Sequence, residues 1–334
     1  MDGGEQGFVL ANPAASRPAL LRAVYDEKGF APRPEESRVF RYRRWLPVRR
    51  SFPGAGGPVA YRAEALAREL GLANLCVVFS GYWPERGALL ETCSFKELEA
   101  LSVLARVPEG ERRSLVVASA GNTGRSFLQI ASRYGLAVTV VVPERALPAI
   151  WTTVERSPRA RLVALGGNAD YLDAISLADL VAAAPGHYPE GGAKNVARRD
   201  GMGTTLLCGA ELLGEVPRHY VQAVGSGTGG IGAWEMARRL LDAGLKGAGC
   251  RLHLVQNEPF TPMTDAWRAR SRELGTMEPE EGRRRVAELH APVLSNRKPP
   301  YGIVGGVFDC LAESDGRMYA VGRGEAVAAG ALFE

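Results

Sequence analysis

The chain has 334 residues, of which 46% are hydrophobic and 23% are charged. This length predicts about two domains with a sizeable buried core. The 41 basic and 37 acidic residues leave a net charge of only +4, which argues against nucleic acid or a membrane surface as the main partner.

No apolar run approaches the ~20 residues of a membrane span, and the first residues lack the pattern of a signal peptide. We therefore expect a cytoplasmic protein. The cysteines include no Cys-x-x-Cys pair and the four histidines are dispersed, so we expect reduced, mostly buried thiols and no metal site. The cysteines are Cys76, Cys93, Cys208, Cys250 and Cys310.

The first part of the chain predicts little regular structure. Residues 1 to 60 form an irregular arm in this interpretation, with a helix only at 19–25. An amphipathic helix is then expected at 61–70 and a buried strand at 75–79, before a loop with glycine and proline leads to Lys96. The pattern continues as a helix over 97–104.

Lys96 stands where the loop becomes a helix. A lysine there can be a solvated cation, but the positive end of the helix dipole disfavours a further cation, and Phe95 and Leu98 are apolar neighbours. Such surroundings lower the pKa of the amine and favour a neutral nucleophile that can form an imine with a carbonyl carbon.

A second feature is the segment from Ser119 to Gly124, which reads Ser-Ala-Gly-Asn-Thr-Gly. It lies between a predicted strand at 114–118 and a predicted helix at 125–134. Small residues at such a junction leave backbone N–H groups free to bind an anion. An ordinary helix cap made by Asn122 or Thr123 is the alternative.

Short apolar strands then alternate with helices, which predicts an α/β fold with parallel strands joined by right-handed crossovers. Strands are expected at 137–142, 161–165, 220–224 and 251–255, and helices at 148–154, 169–184, 204–213, 231–241 and 325–333. Glycines near 190–203 suggest a domain boundary.

The third feature is a glycine-rich loop that follows the strand at 220–224 and opens the next helix. It comprises Gly225, Ser226, Gly227, Thr228, Gly229 and Gly230. Its backbone N–H groups and two hydroxyls can surround a phosphate at the positive end of the helix. The loop also fits the Gly-x-Gly-x-x-Gly pattern of nicotinamide and flavin enzymes, so an NAD(P)-binding oxidoreductase stays open as an alternative of a different class.

Taken together, the Ser94-Phe95-Lys96 segment, the Asn122 loop and the glycine-rich loop resemble, in order and spacing, the fold-type II pyridoxal-phosphate enzymes of the threonine synthase and tryptophan synthase β group. Residues 95–100, 195–203, 296–301 and 305–309 resemble the cysteate synthase branch of that group. The resemblance implies two doubly wound domains with mostly parallel sheets and the cofactor in the cleft between them. Its expected parts are an arm and first part of the large domain at 1–97, a smaller domain at 98–195, and the rest of the large domain at 196–334.

The resemblance also implies roles for particular residues. Lys96 would hold pyridoxal phosphate covalently and act as the catalytic base, and Asn122 would lie beside the 3-hydroxyl of the cofactor. Phe95 and the glycine-rich loop, residues 225–230, would bind the rest of the cofactor. Candidate substrate-binding residues are Ser119, Gly121, Thr123, Asn195, Arg198 and Arg297. For Arg297, as for Asn195 and Arg198, a solvated position with no part in binding is the alternative.

The reaction implied by the resemblance is the replacement of the phosphate of O-phospho-L-serine by sulfite, which gives L-cysteate in a cytoplasmic homodimer. Threonine synthase chemistry on O-phosphohomoserine, or replacement by another nucleophile, stays open because these motifs do not encode pocket shape. Two departures from the family concern residues 10–15, which lack a cysteine pair, and the end of the chain, where the residue expected to bond the pyridine nitrogen is not found.

Overall fold

A computed structural model describes residues 8–333. The strands are β1 (Val59–Arg62), β2 (Cys76–Phe79), β3 (Tyr82–Trp83), β4 (Ala88–Leu89), β5 (Ser114–Ala118), β6 (Val138–Pro143), β7 (Ala160–Leu165), β8 (His187–Pro189), β9 (His219–Ala223), β10 (Arg251–Asn257) and β11 (Arg317–Val321). The helices are α1 (Glu64–Glu69), α2 (Lys96–Arg106), α3 (Asn122–Tyr134), α4 (Tyr171–Ala183), α5 (Val196–Leu213), α6 (Thr228–Asp242), α7 (Pro262–Arg268), α8 (Pro279–Ala287), α9 (Val307–Glu313) and α10 (Arg323–Phe333).

The first parallel sheet has the strand order β7-β6-β5-β8. Its central strand β6 is rich in β-branched residues and buried throughout, as expected for a strand covered on both faces. Val140 belongs to the main core with Phe127 of α3, whereas Val141 packs with Ala174 and Ala178 of α4. Helices α3 and α4 therefore cover opposite faces, which makes this sheet doubly wound.

The second parallel sheet has the order β11-β10-β9. Leu252 and Leu254 of β10 are fully buried and pack with Ile231 of α6 and Leu311 of α9. Two short antiparallel pairs, β1 with β2 and β3 with β4, complete the strand pairing within the described residues. The predicted α/β class and the mostly parallel sheets are thus confirmed.

Both loops singled out in the sequence begin at the carboxyl end of a parallel strand. Ser119 follows β5 directly, and Gly225 lies two residues beyond β9. Ligands of open α/β sheets bind in the crevice outside the carboxyl ends of the strands. The two sheets therefore each contribute one loop to the same cleft.

Several predicted elements differ from the structure. Residues 19–25 are not helical, and Ala19 instead forms a bridge with Val304. The region predicted as a helix at 61–70 begins as strand β1, because the segment pairs with β2, and only Glu64–Glu69 is helical. The predicted helix at 148–154 is not formed: the 3-10 helix Glu144–Ala149 ends there, and residues 150–154 are irregular.

Helix α5 begins at Val196, eight residues before the predicted start. The side chain of Asn195 accepts a hydrogen bond from the N–H of Ala197 and so caps the helix. The domain boundaries stay a prediction. No helix within residues 8–333 has the length and hydropathy that a bilayer crossing needs.

Candidate active site

Lys96 is the first residue of α2, as predicted, and no side chain caps this end of the helix. Its amine nitrogen lies 3.5 Å from Met202 Sδ and 4.7 Å from the centre of the Phe95 ring. Burial lowers the pKa of Lys96, and the Arg198 guanidinium lowers it further, while Glu99 opposes both effects. A larger fraction of the amine is therefore neutral near pH 7 than for a solvated lysine, which favours its use as a nucleophile or base.

The glycine-rich loop opens helix α6, whose 15 residues begin at Thr228. Gly227 has a φ of 78°, a left-handed conformation that a residue with a Cβ rarely adopts. The Ser226 hydroxyl accepts a hydrogen bond from the Thr228 N–H at 3.3 Å and lies 2.8 Å from the Thr228 hydroxyl. The N–H groups that follow at this helix start, together with the two hydroxyls, form an arrangement suited to a phosphate group.

The Asn122 loop opens helix α3, which begins at Asn122. The Ser119 hydroxyl accepts hydrogen bonds from the N–H groups of Gly121 and Gly124, at 3.1 and 2.8 Å, and so caps the first turn of the helix. Asn122 Oδ1 accepts from Arg125 at 2.8 Å, and the Thr123 hydroxyl donates to Glu99 at 2.7 Å. The loop is therefore held in shape mainly by its own side chains, while the N–H groups of Asn122 and Thr123 stay available to an anion.

A cavity of about 160 Å³ joins these three features. The predicted site residues that line it are Phe95, Lys96, Ser119, Gly121, Asn122, Thr123, Arg198, Gly225, Ser226, Gly227, Thr228 and Gly229. The first residues of helices α2, α3 and α6 all line it. Since each helix start carries a partial positive charge, the cavity suits a ligand with anionic groups at more than one end.

Three predicted site residues do not line the cavity. Gly230 packs on the core, where an added Cβ would stand 2.9 Å from Leu254. Asn195 caps α5 and donates to the carbonyl of Glu190. Arg297 is paired with Asp170. Asn195 and Arg297 are therefore held by protein partners and are mostly buried, so neither is the solvated side chain expected as the alternative.

Arg198 lines the cavity, but its guanidinium is fully engaged with two carboxylates. It bonds Glu190 at 2.5 and 2.9 Å and Glu99 at 3.1 Å. Burial alone would lower the pKa of Arg198, yet the charges of Glu190 and Glu99 outweigh it and the net shift is upward. The arginine is therefore permanently charged and held in place.

Other residues at the cavity were not predicted as site residues. Tyr171 opens α4, Gln222 lies on β9, and residues 292–296 form one wall. Glu99 does not line the cavity, but its carboxylate lies 3.5 Å from the Lys96 amine. It alone had a recognisable signal, because residues three apart on a helix share a face and it follows Lys96 at that spacing. The Gln222 amide lies beside Gly229, where an added Cβ would stand 2.7 Å from Gln222 Oε1.

Within residues 8–333, no group of three or more histidine, cysteine, aspartate or glutamate side chains is placed to hold a metal ion. Buried Gln222 Oε1, beside the cavity, lacks a hydrogen-bond partner among the described residues. A polar atom left unpaired beside a cavity is expected where a polar ligand binds. Together with the three helix starts and the amine of Lys96, it fits a phosphorylated aldehyde.

Comparison with known proteins agrees with this fit. Residues 61–334 match the family described as pyridoxal-phosphate dependent enzyme. The chain therefore belongs to this family and is an enzyme that uses pyridoxal phosphate. Family membership thus shows pyridoxal phosphate as the cofactor, and the NAD(P)-binding alternative is not supported.

Within the family, the chain is similar to curated cysteate synthases. It is 48% identical to that of Methanosarcina barkeri over 318 residues, which cover 95% of this chain and 76% of the relative. It is 50% identical to that of Methanosphaerula palustris over 325 residues, covering 96% and 75%. The resemblance noted in the sequence is thus confirmed.

Solved structures share the fold at low identity. Maize serine racemase superposes with a TM-score of 0.56 at 11% identity, over 79% of this chain and 73% of the racemase. Isoform 2 of threonine deaminase from Solanum lycopersicum gives 0.55 at 16% identity, over 93% and 80%. These neighbours confirm the predicted fold-type II architecture.

Proposed function

We propose that this enzyme is a cysteate synthase, which converts O-phospho-L-serine and sulfite to L-cysteate and phosphate. The identity of 48 to 50% to curated cysteate synthases over nearly the whole chain carries this proposal. In the overall reaction the bond between Cβ and the phosphate oxygen breaks, and a bond between Cβ and the sulfur of sulfite forms. Both reactants are anions, which agrees with the three helix starts around the cavity.

We propose that Lys96 holds the cofactor covalently and that its phosphate lies at Gly225, Ser226, Gly227, Thr228 and Gly229, with Gly230 supporting the loop from behind. Phe95 and Asn122 would contact the rest of the cofactor. When bound, pyridoxal phosphate supplies an electron sink for the negative charge left at Cα after proton removal. The low pKa of Lys96 makes its amine a suitable acceptor for that proton.

The Asn122 loop is the proposed site for the substrate carboxylate, with contributions from Ser119, Gly121 and Thr123. The start of α3 supports this assignment because Gly121, Asn122 and Thr123 line the cavity there, and the first N–H groups of a helix can bind an anion. Arg198 would contribute its positive charge to substrate binding from the wall of the cavity. Asn195 and Arg297 would support the site indirectly, through the cap of α5 and the pair with Asp170.

The test uses the purified protein loaded with pyridoxal phosphate. We expect phosphate release from O-phospho-L-serine and, with sulfite present, formation of L-cysteate detected by mass spectrometry. O-phosphohomoserine is the comparison substrate, and phosphate release from it alone would show threonine synthase chemistry and overturn the proposal. Release from O-phosphoserine without cysteate formation would point to a different nucleophile.

The matched control is a second lysine. Lys96→Ala should abolish turnover, whereas Lys246→Ala changes an exposed lysine outside the cavity and should leave turnover at the wild-type rate. We further propose that the enzyme is a cytoplasmic homodimer. Size-exclusion chromatography with light scattering would test whether it forms a dimer.

A further inference from the structure

Glu99 is a fully buried carboxylate next to the amine of Lys96. It lies one helical turn after Lys96 on α2, and its side chain has 0% exposure. A buried carboxylate is costly unless partners compensate for the lost water. The partners of Glu99 therefore indicate its role.

The two oxygens of Glu99 have different environments. Oε1 accepts hydrogen bonds from the Thr123 hydroxyl at 2.7 Å and from Arg198 at 3.1 Å. Oε2 has no hydrogen-bond partner among the described residues, and it lies 3.5 Å from Lys96 Nζ as an ion pair. One oxygen thus anchors the side chain to α5 and to the Asn122 loop, and the other faces the reactive amine.

The charged groups around Lys96 come from three elements besides its own helix. Arg198 of α5 is one, and Glu190, just before α5, bonds the same arginine at 2.5 Å. Tyr171 of α4 lies close enough for Arg198, Glu99 and Glu190 to influence its pKa, which burial raises, so Tyr171 is neutral near pH 7. The ionic set is therefore Lys96, Arg198, Glu99 and Glu190.

This set is electrically neutral only when Lys96 carries a proton. Two cations then balance two carboxylates, whereas with a neutral amine the set has a net charge of −1. Because Arg198 stays charged, proton uptake on Lys96 is what restores the balance. In these low-dielectric surroundings a charge imbalance costs more free energy than it would in water.

We propose that Glu99 is a positioning residue for Lys96: its carboxylate fixes the amine in place and stabilises it while it holds the proton taken from Cα of the substrate. The proton moves from Cα to Nζ, and Glu99 accepts no proton itself. The catalytic assignment of Lys96 rests on the proposed function, but the electrostatic pairing of Glu99 with the Lys96 amine does not.

The first experiment measures the protonation of the Lys96 amine in the absence of substrate. In protein purified free of pyridoxal phosphate, the rate of Lys96 acylation by acetic anhydride is followed by mass spectrometry across a pH series. Loss of a facing carboxylate removes stabilisation of the ammonium form, so Glu99→Gln should lower the pH of half-maximal labelling by about 1 unit or more. An unchanged midpoint overturns the proposal.

The matched control is Glu97→Gln. Glu97 lies on the same first turn of α2 and is also buried, but its carboxylate accepts from the N–H and hydroxyl of Thr92 and does not pair with Lys96. The midpoint should stay at the wild-type value in this variant. An equal shift in both variants would mean a general disturbance of α2 and would overturn the specific role of Glu99.

A second arm keeps the test decisive if the Gln variant does not fold. Glu99→Asp keeps the charge but withdraws it by one methylene, so the labelling midpoint should fall below that of the wild type; a midpoint at or above the wild-type value overturns the proposal. In the loaded enzyme, either variant should lower kcat for O-phosphoserine with little change in KM. Should the wild type show no such activity, the proposed function fails while the labelling result still decides the pairing of Glu99 with Lys96.

Discussion

Replacing Gly227 with alanine tests the glycine-rich loop most directly. Gly227 has a φ of 78°, and an added Cβ would stand 2.5 Å from Val307 Cγ2. A left-handed conformation costs a residue with a Cβ about 1–2 kcal/mol, and overpacking of a filled site costs about 1–3 kcal/mol. The sum is a loss of about 2–5 kcal/mol, or a displacement of the loop that relieves it.

Displacement of the loop would move the N–H groups at the start of α6. We therefore expect cofactor binding to weaken by about tenfold or more, since each tenfold corresponds to about 1.4 kcal/mol. Cofactor affinity is measured by titration of the protein with pyridoxal phosphate while the visible absorbance is followed. Stability is measured as the free energy of unfolding in urea without the cofactor.

Gly214 provides the matched control. It ends α5 with a φ of 71°, and no atom lies within 4 Å of its Cβ position. Gly214→Ala should therefore lose only the conformational part, about 1–2 kcal/mol, and keep the wild-type cofactor affinity. If Gly227→Ala were no less stable than Gly214→Ala and bound the cofactor as tightly as the wild type, the reasoning about this loop would be refuted.

Three further predictions concern the charged groups of the cavity. Lys96→Ala should lose the visible absorbance band of the covalently held cofactor, and a retained band would exclude Lys96 as the attachment point. Arg198→Met leaves Glu99 and Glu190 buried without their arginine, so the free energy of unfolding in urea should fall by about 3–5 kcal/mol. The control is Arg283→Met, which removes only a 3.7 Å ion pair of a half-exposed arginine. It should lower the free energy of unfolding by at most about 1 kcal/mol. The pKa of Lys96 is lower in the folded protein than in the unfolded chain. Between the folded-state pKa and the ordinary lysine pKa of about 10.4, the unfolded chain therefore binds more protons than the folded protein. The stability of the cofactor-free protein should rise with pH across this range. Lys96→Met should remove this rise, and equal melting-temperature profiles of Lys96→Met and wild type against pH would contradict it.

The anion-binding loops were predictable because their information is local. Glycines and small polar residues between a strand and a helix leave N–H groups free regardless of the rest of the fold, and Ser119 holds its loop through hydrogen bonds to neighbours at most five residues away. The start of α2 at Lys96 follows from the same kind of local pattern. Sequence reasoning was therefore effective where the chain satisfies its own hydrogen bonds nearby.

The remaining features depend on contacts between distant parts of the chain. Arg297 pairs with Asp170, which is 127 residues away, and the partner of a surface arginine cannot be read from its neighbours in sequence. Tyr171 and Gln222 reach the cavity only because two sheets place their strand ends together. Leu180 is 72% exposed although it is apolar, because α4 buries the small face of Ala174 and Ala178.

The wall formed by residues 292–296 is an irregular loop, unlike the helix starts that line other parts of the cavity. This segment is a connection between α8 and α9 and belongs to no helix or strand, and connections tolerate exchange better than the elements they join. The proposed anchors for the cofactor, in contrast, lie at helix starts that cannot shift without disturbing the core. Grafting the corresponding loop of another family member into this position is therefore a practical route to enzymes that accept a different amino acid while keeping their vitamin B6 chemistry.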